Sequence, residues 1–216
     1  MLFDLYASGA DLAAARLSAA SQMRKVPSAR LTQFILPQFL TGEQCAALIE
    51  RIDANVRPST ITDDNGDAEF RTSETGELDH KDPLIAAIDA QLCTLIGIAP
   101  AYGEPLQGQR YLPGQQFKGH TDYFEPNGVD FYEHTHIAGQ RTWTMMVYLN
   151  HVEAGGTTRF AATGKLHVPE PGKLLAWCNL DGDGSVNPSS LHQALKVRRG
   201  RKYVITKWFR ERPWPW

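Results

Sequence analysis

The sequence predicts a mainly β protein (α+β), with helices first and an all-β core after them. Through about residue 100 the apolar residues recur at helical spacing. From about residue 105 short β-rich runs follow one another, separated by Gly and Pro. Short strands spaced this way point to an antiparallel sandwich or barrel. Size is the third observation. At 216 residues, 42% apolar and 21% charged, the chain can bury a sizeable core. It reads as one domain over 1–216, helical in about 1–100 and β in about 104–212.

Each element has its own signal. Residues 9–23 are an Ala-rich helical stretch, and 31–35 a short strand. Thr41-Gly42-Glu43-Gln44 matches a capping box, in which Thr41 and Gln44 satisfy backbone donors at a helix start. That helix runs to about residue 52. Residues 82–96 place Leu84, Ile88, Leu92 and Leu95 on one face of a second helix. The β-rich runs are QGQRYL, QFKGHTD, RTWTMMVYLN, TTRF, KLHVP, KLLAWCNL, LHQALKV and RKYVITKWF. Two long polar stretches, 60–81 and 123–140, are candidate lids, with plain exposed loop as the alternative.

The net charge of −2 gives no general reason to expect nucleic acid or an acidic membrane as partner. Residues 196–212 are a local exception. There Lys196, Arg198, Arg199, Arg201, Lys202, Lys207, Arg210 and Arg212 face only Glu211. A solvated sheet edge is the simplest expectation. The rival is a non-enzymatic β-barrel binding module that holds nucleic acid or an acidic partner with this stretch. Cys45, Cys93 and Cys178 are odd in number and lack CxxC spacing. Buried free thiols in a reducing, cytoplasmic setting are expected. Asp4 and Asp11 interrupt the apolar start, which reads against a signal peptide. No run of about 18 apolar residues suggests a membrane span.

Chemistry is concentrated in GHTDYFEPN, where His120 and Asp122 stand two residues apart. On a strand, residues i and i+2 share a face, so an imidazole and a carboxylate can aim at one ion. A third ligand must then come from a facing strand, and His192 in SLHQALKV is the best placed. Two histidines and a carboxylate with open positions suit non-haem Fe(II) oxygenases. His134-x-His136 repeats the spacing but lies in the polar 123–140 stretch and reads as a loop pair. His80, His151 and His167 read as surface residues. Lys202, ten residues after His192, could sit on a neighbouring strand deep in the barrel and pair with a carboxylate beyond the metal. Without such an anion a buried lysine is costly. Tyr111 could add a hydroxyl to the same anion.

Together these residues resemble the prolyl 4-hydroxylase type of 2-oxoglutarate/Fe(II)-dependent dioxygenase, from about residue 71 to the C-terminus. YLPGQQFKGHTDYF is similar to the family's first metal strand, and RTWTMMVYLNHVEAGGTTRF to its arginine-to-double-glycine segment. PEPGKLLAWCNLDGDGSVNPSSLHQALKVRRGRKYVITKWFRER is similar to its closing stretch. The resemblance implies a double-stranded β-helix (jelly-roll) core backed by N-terminal helices. It implies Fe(II) at His120, Asp122 and His192, with 2-oxoglutarate and O2 as cosubstrates and ascorbate as reductant. Lys202 would hold the distal carboxylate, helped by Tyr111 and Thr144. Arg71, Arg141 and Trp208 would line the substrate side, and Trp177 and Asn179 match a closing Trp-x-Asn pattern. The implied reaction is hydroxylation of an unactivated C–H, foremost prolyl 4-hydroxylation in a peptide or protein. The alternative substrate is a free amino acid or other small molecule. One departure stands out. Relatives commonly carry tyrosine where this chain has Phe117, so a hydroxyl that would contact substrate is absent.

Overall fold

The computed structural model describes residues 4–60, 67 and 69–215. In chain order its elements begin with α1 (Asp4–Ala19), β1 (Arg24–Lys25), β2 (Gln33–Leu36), α2 (Gly42–Ala54), β3 (Val56–Pro58), β4 (Glu74–Glu77) and α3 (Pro83–Ile96). They continue with β5 (Gln107–Tyr111), β6 (Phe117–His120), α4 (Phe131–Thr135), β7 (Arg141–Tyr148), β8 (Ala154–Gly155) and β9 (Thr158–Phe160). The last are β10 (Lys165–His167), β11 (Leu174–Cys178), β12 (His192–Ala194), β13 (Val197–Arg199) and β14 (Lys202–Arg210).

Among the described residues, an eight-stranded sheet runs in the order β1-β2-β11-β7-β14-β5-β4-β3 and a four-stranded sheet in the order β10-β9-β12-β6. Every ladder is antiparallel. This is a double-stranded β-helix, with helices packed on the outer face of the larger sheet.

The two-residue period of the strands divides the core into two clusters. On β7, Trp143, Met145 and Val147 face out and pack with Leu48, Ile52, Ile88 and Leu92 of α2 and α3. Their neighbours Met146 and Tyr148 face inward, where they meet Leu175, Trp177 and Val204. Gly108 on β5 makes this packing possible, because a Cβ there would lie 2.5 Å from Ile52 Cγ1.

The helix ends follow their capping chemistry. The Gln44 amide donates to Thr41 Oγ1 at 3.1 Å, and the Thr41 amide to Gln44 Oε1 at 2.9 Å. Asp82 accepts the Leu84 amide at 2.8 Å, and Gly97, with φ of 78°, closes α3. These residues satisfy orphan backbone groups at the helix ends.

Several expectations change. The first helix begins at Asp4 and ends at Ala19, earlier than its Ala-rich signal. The polar 60–81 stretch lies partly outside the described residues, and its described part contributes β4 to the main sheet. His167 is buried, its ring edge-on to Phe160 at 5.6 Å. The basic C-terminal stretch is not one solvated edge: Lys202, Lys207 and Arg210 are buried. Lys207 points to the helix side, 2.5 Å from Asp89 on α3, while Lys202 and Arg210 line the interior cavity. That splits the basic surface a nucleic-acid module would need. All three cysteines are buried and free.

Candidate metal centre and substrate cavity

The strands β6 and β12 are direct neighbours, and their register sets His192 opposite His120. The second histidine thus arrives from the adjacent strand of the same sheet, not from a facing one. The strand β6 ends at His120, so Asp122 reaches the cluster from the bend that follows. Ligand atoms of His120, Asp122 and His192 lie within 4.8 Å of one another, and His192 Nε2 is 3.9 Å from Asp122 Oδ2. One ion with bonds of about 2 Å spans nearly that separation.

Hydrogen bonds set which nitrogen faces the cluster. His120 Nδ1 lies 2.8 Å from the Lys118 carbonyl, and His192 Nδ1 3.0 Å from the Ser190 carbonyl. A carbonyl cannot donate, so each Nδ1 carries a proton and each Nε2 is the nitrogen left to face a metal. Burial, then the nearby His192, holds the His120 pKa well below its ordinary value and keeps the ring neutral. Aromatic rings fix both imidazoles. Phe117 lies flat on His120, with centroids 3.4 Å apart and planes 11° apart. Phe160 stacks on His192 at 5.3 Å, and Trp177 meets it edge-on at 4.8 Å.

The carboxylate has its own support. Thr144 Oγ1 donates to Asp122 Oδ2 at 2.8 Å, and Asn179 Nδ2 donates to Thr144 Oγ1 at 2.9 Å. Such outer partners orient a metal ligand and typically carry about 10–100-fold in metal affinity. Thr144→Val is therefore expected to weaken Mn(II) binding by about that factor. A calorimetric titration checks this, and affinity for 2-oxoglutarate at saturating metal should hardly move.

The cluster opens into a cavity of about 790 Å³ that also holds Lys202 and Tyr111. Lys202 is 1% exposed, and among the described residues its Nζ has one hydrogen-bond partner, Thr158 Oγ1, at 3.4 Å. The rings of Tyr111 and Tyr148 lie 5.0 and 5.5 Å away. Burial pulls the lysine pKa down to about 7. Tyr111 pairs with Lys202 across the β5–β14 ladder, and its hydroxyl donates to Gln109 Oε1 at 2.9 Å.

The other side of the cavity is built on Glu104. Arg141 Nε and Nη2 donate to its two oxygens at 2.6 and 2.7 Å, and Arg210 Nη1 to Oε1 at 2.7 Å. Burial alone would raise the Glu104 pKa, but the two guanidinium groups outweigh it and leave the carboxyl below its ordinary range. Arg141 lies 4.2 Å over Trp208 and 4.9 Å over Phe124, and Arg210 lies 5.0 Å over Phe124 and 5.3 Å over Trp214. Glu104→Gln leaves two cations facing a neutral amide. It is expected to cost about 3–5 kcal/mol of stability, read by urea unfolding.

Residues 106–210 match the model of the 2OG-Fe(II) oxygenase superfamily. Among curated proteins of Arabidopsis thaliana, the chain is 34% identical over 196 residues to "Probable prolyl 4-hydroxylase 10", covering 80% of this chain and 66% of that one. It is 32% identical over 199 residues to "Probable prolyl 4-hydroxylase 3", covering 81% and 68%. The chain belongs to the prolyl 4-hydroxylase type of 2-oxoglutarate/Fe(II) oxygenases. It spans about two thirds of the length of these two relatives. Among solved structures, the 2OG complex of the viral collagen prolyl hydroxylase from Paramecium Bursaria Chlorella virus-1 shares the fold. Its TM-score is 0.67 at 23% identity, over 82% of this chain and 95% of that one. A prolyl hydroxylase from Trichoplax adhaerens, in complex with a hypoxia inducible factor peptide fragment, gives 0.63 at 12% identity, over 96% and 91%.

The family brings Fe(II), 2-oxoglutarate and O2. The donor set fits the first, since two imidazoles and a carboxylate can hold a divalent iron. A buried lysine with no carboxylate partner among the described residues, in the same cavity, fits the second. Of the residues singled out in the sequence of this oxygenase, His120, Asp122, His192, Lys202, Tyr111, Arg71, Arg141 and Trp208 all line that cavity. Thr144 departs from its expected place, because its hydroxyl is engaged by Asp122 and Asn179. Thr158 stands beside Lys202 instead. Neither Glu104 nor Thr158 was singled out in the sequence, where no motif marks them. His134 packs on Phe124 at 4.9 Å, away from the metal ligands. The 123–140 segment is tied down: Arg210 donates to the carbonyls of His134 and Gly139, and Arg212 to those of Thr135 and Ile137.

Proposed function

We propose that this oxygenase hydroxylates a prolyl residue, at C4, in a peptide or protein. In this reading His120, Asp122 and His192 hold Fe(II), and Lys202, beside Tyr111, holds the far carboxylate of 2-oxoglutarate. The observation that carries it is Lys202, a buried lysine in the same cavity as the three ligands, with no carboxylate partner among the described residues. A cation so placed is costly until an anion arrives.

When bound, the iron centre with O2 and 2-oxoglutarate supplies the oxidising power and leaves succinate and CO2. The chain supplies order. Backbone carbonyls orient both histidines, Thr144 aims Asp122, and Phe117, Phe160 and Trp177 hold the rings. Proline is supported by the names of the curated relatives. Arg71, Arg141 and Trp208 form its substrate wall. The proposal includes ascorbate as the reductant and, from the three free buried thiols, a reducing cytoplasmic setting. No described helix is long and apolar enough to cross a membrane. A free amino acid is the second reading, favoured by Arg71, whose hydrogen-bond partners among the described residues are all neutral.

Mass spectrometry of proline peptides and free amino acids, incubated with protein, Fe(II), ascorbate and 2-oxoglutarate, tests the proposal. Addition of one oxygen atom to a peptidyl proline is expected. Oxygenation of free amino acids alone would favour the second reading, and succinate release with no proline product would remove both proline readings.

A further inference from the structure

Building on that oxygenase reading, we infer that Arg71 reads a carboxylate carried by the substrate near the carbon that is hydroxylated. The carboxylate could be that of free proline, of a C-terminal proline, or of an acidic side chain beside a proline. The shared chemistry is an anion held by a guanidinium fork.

The cavity's lysine and arginine groups are Arg71, Arg141, Lys202 and Arg210. Arg141 and Arg210 already share Glu104. Lys202 is matched to the cosubstrate. Among the described residues, Arg71 alone of the four has only neutral hydrogen-bond partners that the substrate could outbid. They are Ser73 Oγ at 3.2 Å, the Thr60 carbonyl at 3.0 Å and Gln107 Oε1 at 3.4 Å. The Gln107 distance exceeds an ordinary N–H···O bond and the Ser73 distance lies at its upper limit, so the guanidinium is loosely satisfied. Asp122, whose charge acts on Arg71, is held by Thr144 and belongs to the metal cluster.

Position adds to this. Arg71 lies 4.7 Å over the Phe117 ring, the same ring that lies on His120. The guanidinium is therefore one aromatic ring away from a metal ligand. Phe117 has no hydroxyl to offer a substrate, and its π face steadies the cation instead. Burial lowers the Arg71 pKa from its ordinary value, partly offset by Tyr111 and Asp122. A guanidinium in this state gains more from a bidentate carboxylate than an exposed one does.

The test compares acid and neutral twins: a peptide with Glu after Pro against its Gln twin, a C-terminal prolyl acid against its amide, and L-proline against prolinamide. Dissociation constants are measured by calorimetry on Co(II)- and 2-oxoglutarate-loaded protein. The wild type is expected to bind at least one acid about tenfold or more tightly than its twin. Arg71→Gln should abolish that difference and Arg71→Lys retain part of it, with 2-oxoglutarate affinity unchanged. The pair that discriminates identifies the source of the carboxylate. Equal binding of every acid and its twin by wild type, no binding of any of them, or discrimination that survives in Arg71→Gln overturns the inference. The wild-type comparison needs no variant to fold. Hydroxylation of the same compounds by the Fe(II) enzyme is scored separately. Acid preference in binding with no oxygen on any proline would sink the proline reading and leave Arg71 standing.

Discussion

His192→Ala is expected to abolish 2-oxoglutarate turnover, by at least about 1000-fold, in a protein that still folds. The magnitude follows from rank: outer-sphere partners such as Thr144 carry about 10–100-fold, so loss of a ligand must cost more. His192 also packs between Phe160 and Trp177, and removing its ring leaves a cavity worth a few kcal/mol. Circular dichroism should therefore show native structure with a lower Tm. Succinate release measured at saturating Fe(II) checks the activity. Turnover close to wild type would take His192 out of the ligand set. Asp122→Ala should behave alike, since its carboxylate is the anionic member of the cluster.

Lys202→Met should separate binding from stability. Truncating one side of a buried charge pair costs about 2–5 kcal/mol, so the apparent affinity for 2-oxoglutarate should fall by about 30-fold or more. The cosubstrate-free protein should become more stable, by about 1–4 kcal/mol, because the variant buries a thioether in place of an unpaired amine. The pH dependence has a definite sign. In the free protein burial depresses the Lys202 pKa to about 7, against about 10.4 in an unfolded chain. Between those values the unfolded state holds the extra proton, so stability rises with pH across the window and is lost as pH falls through it. Bound dicarboxylate restores the ammonium and flattens the slope. For the same reason 2-oxoglutarate binding must take up a proton above pH 7, so its affinity should weaken by up to about tenfold per pH unit there. Lys202→Met should show neither trend.

The parts legible in the sequence are those written in short-range spacing. His120 and Asp122 share a motif, the capping box sits in four consecutive residues, and the β runs of the core appear as separate segments. What the sequence hid depends on which strands become neighbours. His192 was expected from a facing strand, yet β12 pairs with β6 in the same sheet. Lys202 was expected beside His192, yet β14 lies in the other sheet. Thr144 on β7 and Thr158 on β9 are the same residue type in different sheets, and that placement decides which meets Asp122 and which meets Lys202. Glu104 lies 37 residues from Arg141 and 106 from Arg210, a separation at which no pattern marks a lone carboxylate as the hub of two arginines. His167 was misplaced because a three-residue strand is too short for its buried face to be read. Phe117 was read as a lost hydroxyl, whereas its ring links Arg71 to His120.

The most direct measurement is an anaerobic titration of the Fe(II)-loaded protein with 2-oxoglutarate, following the visible charge-transfer band that a keto acid gives when it chelates ferrous iron. Wild type should develop the band, Lys202→Met should need about 30-fold more 2-oxoglutarate to reach it, and His192→Ala should not develop it. A full band at wild-type concentrations in both variants would contradict the assignment of this cavity as the iron and 2-oxoglutarate site.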